Sequence, residues 1–317
     1  MVTWAGLDVG TNSVKLLVGD AVLEEASPRL RVLHHAVRVT RMGEGLNATG
    51  ALAEGAMARA IEAISELVAE ARRYEPVGIS ALGMEAFRRA SNGPALARRI
   101  GEELGIPLRI LAGEEEAQMG REGVLLGYGA PLPSAVLVVD VGGGSSELAL
   151  TSPSWQVSVP RGAVTTSEAF LHADPPSADE VARMRTELGG VFADAWRACP
   201  DAGATPAVVA VGGTVTTYGA IQLQMSEWDS ERVHRLWLSR NDIHALTDRL
   251  ASMTLAERCE VPGLHPGRAP YVLGGGAILE SVLGAVGADG LHISVANLLH
   301  AHVVHEAERW RLNSLAS

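Results

Sequence analysis

Cysteine is scarce, with only Cys199 and Cys259 among 317 residues. Neither the metal nor the redox spacing of paired cysteines is present, and a chain this long does not depend on one disulfide. A reducing cytoplasm is the expected compartment. Net positive charge is also missing: 26 Lys and Arg stand against 37 Asp and Glu, for a formal charge of -11 and a pI near 5.4. Long nucleic acids are bound mainly by clustered Lys and Arg, so no nucleic-acid partner is expected and any anionic ligand must be held locally. No apolar run reaches the length of a membrane span, and MVTWAGLDVG lacks the charged and apolar regions of a signal peptide. Neither secretion nor a membrane partner is predicted.

What is present is ordinary globular material: 47% apolar and 20% charged residues, without low-complexity tracts. At 317 residues the length predicts two domains, each able to bury a core.

Two phrases repeat. AGLDVGTNSVKLLVGD opens the chain and VLVVDVGGGSSELAL spans 136–150, with Asp8 matching Asp140 and Lys15 matching Glu147 at the same offset. A repeat of this length, seen twice, predicts two related domains and not a solenoid. Each phrase has β-formers on both sides of a short polar or glycine turn, which predicts a hairpin and excludes the strand-loop-helix of a Walker or dinucleotide motif. Helical spacing over 51–74, a strand at VGISALG, and further helix and strand alternation after the second hairpin give an α/β architecture in both halves.

Glycine turns can bring successive backbone N–H groups up to an anion, and phosphate is the guest that this pattern suggests. A plain hairpin turn accounts for either phrase alone but poorly for both together. Asp8, Asp140 and Glu147 flank these turns. A carboxylate beside bound phosphate is unfavourable unless a cation such as Mg²⁺ lies between them, so a metal is implied as well.

A third stretch, ILAGEEEAQMGREGVLLG, carries Glu114, Glu115 and Glu116 at a predicted helix start. It reads either as a charged first turn favoured by the helix dipole or as the source of a general base for water. VAVGGTVTTYGA, with Gly212, Gly213 and Thr214, closes a strand and offers another ligand turn. VLGGGAILESVL reads equally as close packing of a helix or a strand.

Together these residues resemble the exopolyphosphatase and guanosine pentaphosphate phosphatase family, within the actin, Hsp70 and sugar kinase superfamily. GLDVGTNSVKLL, RMGEGLNATGALAEGAMARAI, FRRASNG, GEEEA, VVDVGGGSSEL, GAVTTSEAFLHADPP, VAVGGTVT and GAILESVL are similar to family blocks in family order. Sugar kinases share the hairpins but lack the RMGEG and GAVTTSEAFLHADPP type of block.

The resemblance implies two related actin-like, ribonuclease H-like α/β domains facing a phosphate-binding cleft, spanning 1–122 and 123–317, with the last helix, about 297–317, packing back on the first. It implies that Gly10, Thr11, Asn12, Ser13 and Lys15 form one phosphate motif, and Gly142, Gly143, Gly144 and Ser145 a second, with Gly212, Gly213 and Thr214 as a third contact. Asp8, Asp140 and Glu147 are the implied ligands of Mg²⁺, or of Mn²⁺, which oxygen ligands also suit. Glu116 aligns with the catalytic base and Arg88 with an arginine that grips phosphate. The implied partners are inorganic polyphosphate or guanosine pentaphosphate and a second copy of the chain, as a cytoplasmic homodimer.

Departures from the family pattern are local. Met84 and Glu85 replace a Thr and a small or polar residue, which removes hydroxyl contacts and places a carboxylate near the phosphate unless it points away. Asn297, Leu299 and Ala301 stand where the family has Gly, Arg and Gly, with the loss of a phosphate-binding or structural arginine. The expected activity is metal-dependent removal of the terminal phosphate of polyphosphate. Guanosine pentaphosphate 5′-phosphohydrolase is the alternative in the same class, and a non-catalytic or kinase-like nucleotide- or phosphate-binding protein is the alternative outside it.

Overall fold

The computed structural model describes residues 1–23, 28–133, 135–200 and 205–316. The first stretch of chain forms β1 (Val2–Val9), β2 (Ser13–Val22), β3 (Arg29–Val39), α1 (Leu46–Thr49), α2 (Glu54–Arg72), β4 (Gly78–Gly83), α3 (Glu85–Arg89), α4 (Gly93–Leu104), β5 (Leu108–Ile110) and α5 (Gly113–Gly127). The second forms β6 (Val136–Val141), β7 (Ser146–Leu150), β8 (Trp155–Val159), α6 (Ala163–Phe170), α7 (Ala178–Arg197), β9 (Ala207–Val211) and α8 (Gly213–Gln222). It continues through α9 (Ser230–Val233), β10 (Trp237–Ser239), α10 (Arg240–Ala251), α11 (Leu255–Cys259), α12 (Val272–Val286) and β11 (Gly290–Ile293), and the chain closes with α13 (Leu298–Ala316).

Two compact units result: Met1–Gly129 with Ala296–Ser317, and Ala130–Val295. The division expected after residue 122 falls inside α5, which runs unbroken to Gly127 and packs along α13. The boundary therefore lies at Gly129.

Each unit is built on one sheet. The first has the order β3-β2-β1-β4-β5 and the second β10-β11-β9-β6-β7-β8. In both, three strands run as an antiparallel meander, and the founding strand of the meander then pairs in parallel with the next strand: β1 with β4, and β6 with β9. The repeat seen as a matched pair of phrases is thus a repeat of sheet topology, and the fold is the expected pair of related α/β units.

Helix α2 shows why these helices form. Ala56, Ala60, Ile61, Ile64, Leu67, Val68 and Ala71 recur at three- and four-residue spacing and are all buried, while Glu54 and Arg72 complement the dipole at its ends. Leu7, Leu16, Ile64, Leu67 and Phe87 centre the first core; Leu137, Leu188, Phe192 and Tyr218 centre the second. The GGGAIL phrase lies inside α12 as helix packing: a Cβ on Gly276 would meet the Tyr218 hydroxyl at 1.8 Å, and one on Gly275 the Thr214 side chain at 2.4 Å.

Helix α13 is buried against α5 on one side and β1 and β2 on the other, through Leu298, Leu299, Val303 and Val304. Leu299 is fully buried beside Leu17, Leu82, Met84 and Leu111, so an apolar side chain fits this position where the family has arginine. The Asn297 side chain accepts from the Leu299 N–H at 3.0 Å and caps the helix.

His302 is a buried polar side chain of this helix. Its Nε2 lies 2.8 Å from the Ser80 hydroxyl, which accepts from the Trp4 indole N–H at 3.0 Å. Burial, with Arg109 adding repulsion, pushes the His302 imidazole down from its ordinary 6.5 to about 3. The fold thus accommodates the neutral ring, and the unfolded chain binds a proton that the folded chain does not between those two values. Stability is full above pH 6.5 and declines as the pH falls toward 3. Melting of His302→Asn, followed by circular dichroism, should depend less on pH between 4 and 6.5 than melting of the parent chain; parallel profiles would remove His302 from this role.

Candidate active site

The two hairpin turns are closed in the same way. Gly10 N–H donates to Ser13 O at 3.0 Å, and Gly142 N–H donates to Ser145 O at 3.0 Å. A peptide turn presents amides to a ligand only if its carbonyls are engaged elsewhere. In the first unit the RMGEG segment does this: Thr40 and Arg41 N–H donate to Asn12 O at 2.9 and 3.0 Å, and Gly43 N–H donates to Thr11 O at 2.8 Å. In the second, the first turn of α6 does it: Ala163 N–H donates to Gly142 O and Val164 N–H to Gly143 O, both at 2.9 Å, while the Thr165 hydroxyl donates to Gly144 O at 3.2 Å. Among the described residues no backbone carbonyl accepts from the N–H groups of Thr11, Asn12, Gly143 or Gly144. Each unit therefore carries a turn with uncommitted amides, the arrangement that binds an anion.

Close approach accounts for the glycines in the supporting segments. A Cβ on Gly43 would lie 2.2 Å from Thr11 Cγ2, and one on Gly162 would lie 2.4 Å from the Gly143 carbonyl carbon. Gly212 has a φ of 96°, and a Cβ there would also press on Asp140 Oδ1 at 2.6 Å, so the third glycine phrase abuts the second hairpin. Gly213 and the buried Thr214 open α8 at this point.

Charge differs between the two hairpins. Asp8 is opposite Lys15 in the β1–β2 ladder, and Lys15 Nζ donates to Asp8 Oδ2 at 2.7 Å. Asp140 is opposite Glu147 in the β6–β7 ladder, where like charges face each other. Glu147 is buried, and its Oε1 accepts from the Ser145 and Ser158 hydroxyls, each at 2.7 Å. Oδ1 of Asp8 is buried with no hydrogen-bond partner. Among the described residues no three His, Cys, Asp or Glu side chains gather as a ready-made cation cage. Asp8 belongs to the first unit, Asp140 and Glu147 to the second. The facing acids at Asp140 and Glu147 fit a hard divalent cation, which Mg²⁺ sites typically hold through one or two carboxylates, with water and phosphate completing the shell.

The three consecutive glutamates have three different surroundings. Glu114 is exposed. Glu115 is exposed; it caps its own helix by accepting from Ala112 N–H at 2.9 Å and pairs with Arg109 at 3.1 Å. Glu116 is buried, and its Oε2 accepts from Arg88 Nη1 at 2.8 Å.

Arg88 also donates to Leu111 O at 2.7 Å through Nη1 and to Glu85 at 2.9 Å through Nη2. Burial disfavours its charge, but Glu116 and Glu85 more than restore it and hold the guanidinium above its ordinary range. Glu85 thus points onto the arginine, with Arg89 3.7 Å from its other oxygen. Met84 is buried in the core formed with Leu82, Leu111 and Leu299.

Arg268 escaped the reading of the sequence. It donates through Nη1 to Gly213 O at 2.6 Å and Thr217 Oγ1 at 2.9 Å, beside the third glycine phrase. Burial alone pushes its guanidinium down. An arginine 55 positions from its glycine leaves no periodic signal in a single sequence.

A sequence model of the Ppx/GppA phosphatase family matches residues 21–309. Exopolyphosphatase 2 of Mycobacterium tuberculosis is 31% identical over 312 residues, covering 93% of this chain and 95% of its own. Exopolyphosphatase 1 of Mycobacterium bovis is 27% identical over 290 residues, covering 90% and 83%. Among solved structures, an exopolyphosphatase from Cytophaga hutchinsonii superposes with a TM-score of 0.85 at 25% identity, covering 97% of this chain and 98% of its own. An Aquifex aeolicus Ppx/GppA family member gives 0.78 at 25% identity, covering 98% of each chain.

The support of the second turn is testable by overpacking. Gly162→Ala forces a methyl into the Gly143 backbone and should destabilise the chain by about 1–3 kcal/mol while lowering phosphate release. Gly190, inside α7 with open space around it, is the control, and Gly190→Ala should stabilise by about 0.5–1 kcal/mol. Equal melting temperatures for the two variants would show that the Gly162 contact yields without cost.

Proposed function

The chain belongs to the Ppx/GppA phosphatase family and is a phosphoanhydride hydrolase, and from that premise we propose that it is an exopolyphosphatase, removing the terminal phosphate of inorganic polyphosphate. One observation carries the reading: of three consecutive glutamates, a single one, Glu116, is buried and held in place by an arginine, in a chain whose two glycine turns keep amides free for phosphate.

In the proposed reaction Glu116 takes a proton from water, and the water oxygen bonds to the terminal phosphorus as the bridging P–O bond breaks. The shortened chain leaves with the bridging oxygen and its electron pair. In the first unit the amides of Thr11 and Asn12 and the N–H groups of Arg88 not given to protein acceptors are the donors for phosphate oxygens; in the second unit the amides of Gly143 and Gly144 are. Lys15 contributes its charge from beside Asp8. Gly212, Gly213 and Thr214 extend the second turn on the side of Asp140.

Asp140 and Glu147, in the second unit, are the pair that fits Mg²⁺ or Mn²⁺; in the first unit Asp8 gives Oδ2 to Lys15 and keeps Oδ1 without a hydrogen-bond partner. When bound, the ion neutralises charge on the phosphate oxygens. The family resemblance also carries a cytoplasmic homodimer; the free thiols of Cys199 and Cys259 suit that compartment, and sedimentation of the purified chain tests the dimer. No helix among the described residues is long and apolar enough to cross a membrane.

Phosphate release from a panel of short and long polyphosphate, guanosine pentaphosphate and ATP, with and without EDTA, tests the substrate and the metal together. Polyphosphate should be the best substrate and EDTA should abolish turnover; faster release from guanosine pentaphosphate would transfer the chain to that activity. Glu147→Ala should cut turnover sharply, and activity that survives EDTA would end the metal assignment.

Glu116→Gln should lower kcat by roughly a hundredfold or more with little change in KM, because it keeps the size of the side chain and removes its ability to take a proton. Glu114→Gln should be nearly silent. A mild Glu116→Gln beside a crippling Glu115→Gln would move the base by one residue.

A further inference from the structure

The grip of Arg88 is already shared out. A guanidinium has five N–H groups, and two-pronged binding of an oxyanion needs two adjacent nitrogens with hydrogens to spare. Both hydrogens of Nη1 are committed, to Leu111 O at 2.7 Å and Glu116 Oε2 at 2.8 Å. The edge between Nε and Nη2 is what remains for a phosphate, and Glu85 Oε2 accepts from Nη2 at 2.9 Å. The Leu111 carbonyl is held in the backbone, and Glu116 is needed where it is. Glu85 is the partner that can give way. Arg89 stands ready to keep it: its Nε lies 3.7 Å from Glu85 Oε1, and its Nη2 is anchored on Asn47 Oδ1 at 2.7 Å.

Resting on the hydrolase reading above, we propose that Glu85 is a specificity-determining residue of the phosphate site, an internal carboxylate that competes with substrate for Arg88 and so admits the terminal phosphate of a chain in preference to an internal one. The preference follows from charge. A terminal phosphate carries up to two negative charges and an internal anhydride phosphate one, so only the former outbids a monoanionic carboxylate already in hydrogen-bond contact with the guanidinium. The side chains of Glu85 and Arg88 are 11% and 20% exposed, which limits the screening of this competition by solvent. A hydroxyl at the same position would set no such threshold. Glu85 acts through Arg88 and takes no part in the bond that breaks.

Linear tripolyphosphate, which has terminal phosphates, and cyclic trimetaphosphate, which has none, are the probes. Calorimetry on the parent chain should show tighter binding of the linear compound. Glu85→Gln should tighten binding of the linear compound by about threefold and of the cyclic one by about tenfold, narrowing the discrimination between them. Glu85→Asp, which keeps the charge, should retain it. In an Arg88→Gln background the effect of Glu85→Gln should vanish. Should Glu85→Gln fail to fold, as judged by circular dichroism, Glu85→Ser serves in its place.

Unchanged affinities for both probes in Glu85→Gln, or a gain that persists without Arg88, would overturn the proposal. In turnover assays the gain should fall in KM; a fall in kcat alone would also overturn it. Failure of the hydrolase reading is seen separately, as a parent chain that binds tripolyphosphate and releases no phosphate from it.

Discussion

A turn can turn its amides toward an anion only when its carbonyls have been given other donors, and most of what is distinctive in this chain follows from that constraint. Thr11, Asn12, Gly142, Gly143 and Gly144 have their carbonyls taken by residues distant in sequence, from Thr40–Gly43 in one unit and the start of α6 in the other. Leaving a buried carbonyl or amide without a partner costs about 1–3 kcal/mol, so these supports are part of the stability of the fold as well as of its chemistry. They explain why glycine is needed at Gly43 and Gly162, which lie in no ligand loop themselves: the donors must come so close that a Cβ would overlap the turn.

The same topology carries different charge in its two copies. Opposite partners at the mouth of the first hairpin are Asp8 and Lys15, an ion pair; at the second they are two acids, Asp140 and Glu147. Cross-strand neighbours lie about 4.5–5.5 Å apart at Cβ, and hydroxyl donors from Ser145 and Ser158 satisfy one oxygen of Glu147 there. A duplicated scaffold has thereby been divided in labour. The first copy brings its own cation in Lys15, and the second sets two acids opposite each other.

Much of this was legible in the sequence because it was periodic or local. The hairpin turns are defined by β-formers flanking glycine, the repeat by a constant offset, and α2 by apolar residues on one face, all short-range signals. The three glutamates were legible as a helix start, but single-sequence reasoning on local spacing could not say which of them is buried; in the fold it is Glu116, which meets Arg88 of α3. The expected division after residue 122 falls inside α5 because helical spacing alone does not mark where that helix, which runs to Gly127, ends. Leu299 and Met84 read as losses against the family pattern, yet both lie in one apolar cluster, where volume and not charge is what the site asks for. Arg268 meets Gly213 and Thr217 from about fifty positions away, which no spacing rule encodes, whereas the Glu85–Arg88 contact is an i,i+3 pair within α3 whose spacing permits it.

The placement of Glu116 is finally a property of the sheet order. Strands β4 and β5 run parallel, with Gly83 beside Ile110 at their carboxyl ends, and each leads directly into a helix that carries part of the site: Glu85 and Arg88 on α3, Glu116 on α5. Parallel neighbours release their chains on the same edge, which is where open α/β sheets gather ligand-binding groups. Side chains from two different crossovers are thus delivered to one spot by backbone pairing alone. Arginine is required to exploit it, because a planar fork can reach Leu111 O and two carboxylates at once, whereas the point charge of a lysine would satisfy them in turn and leave Glu116 free to rotate.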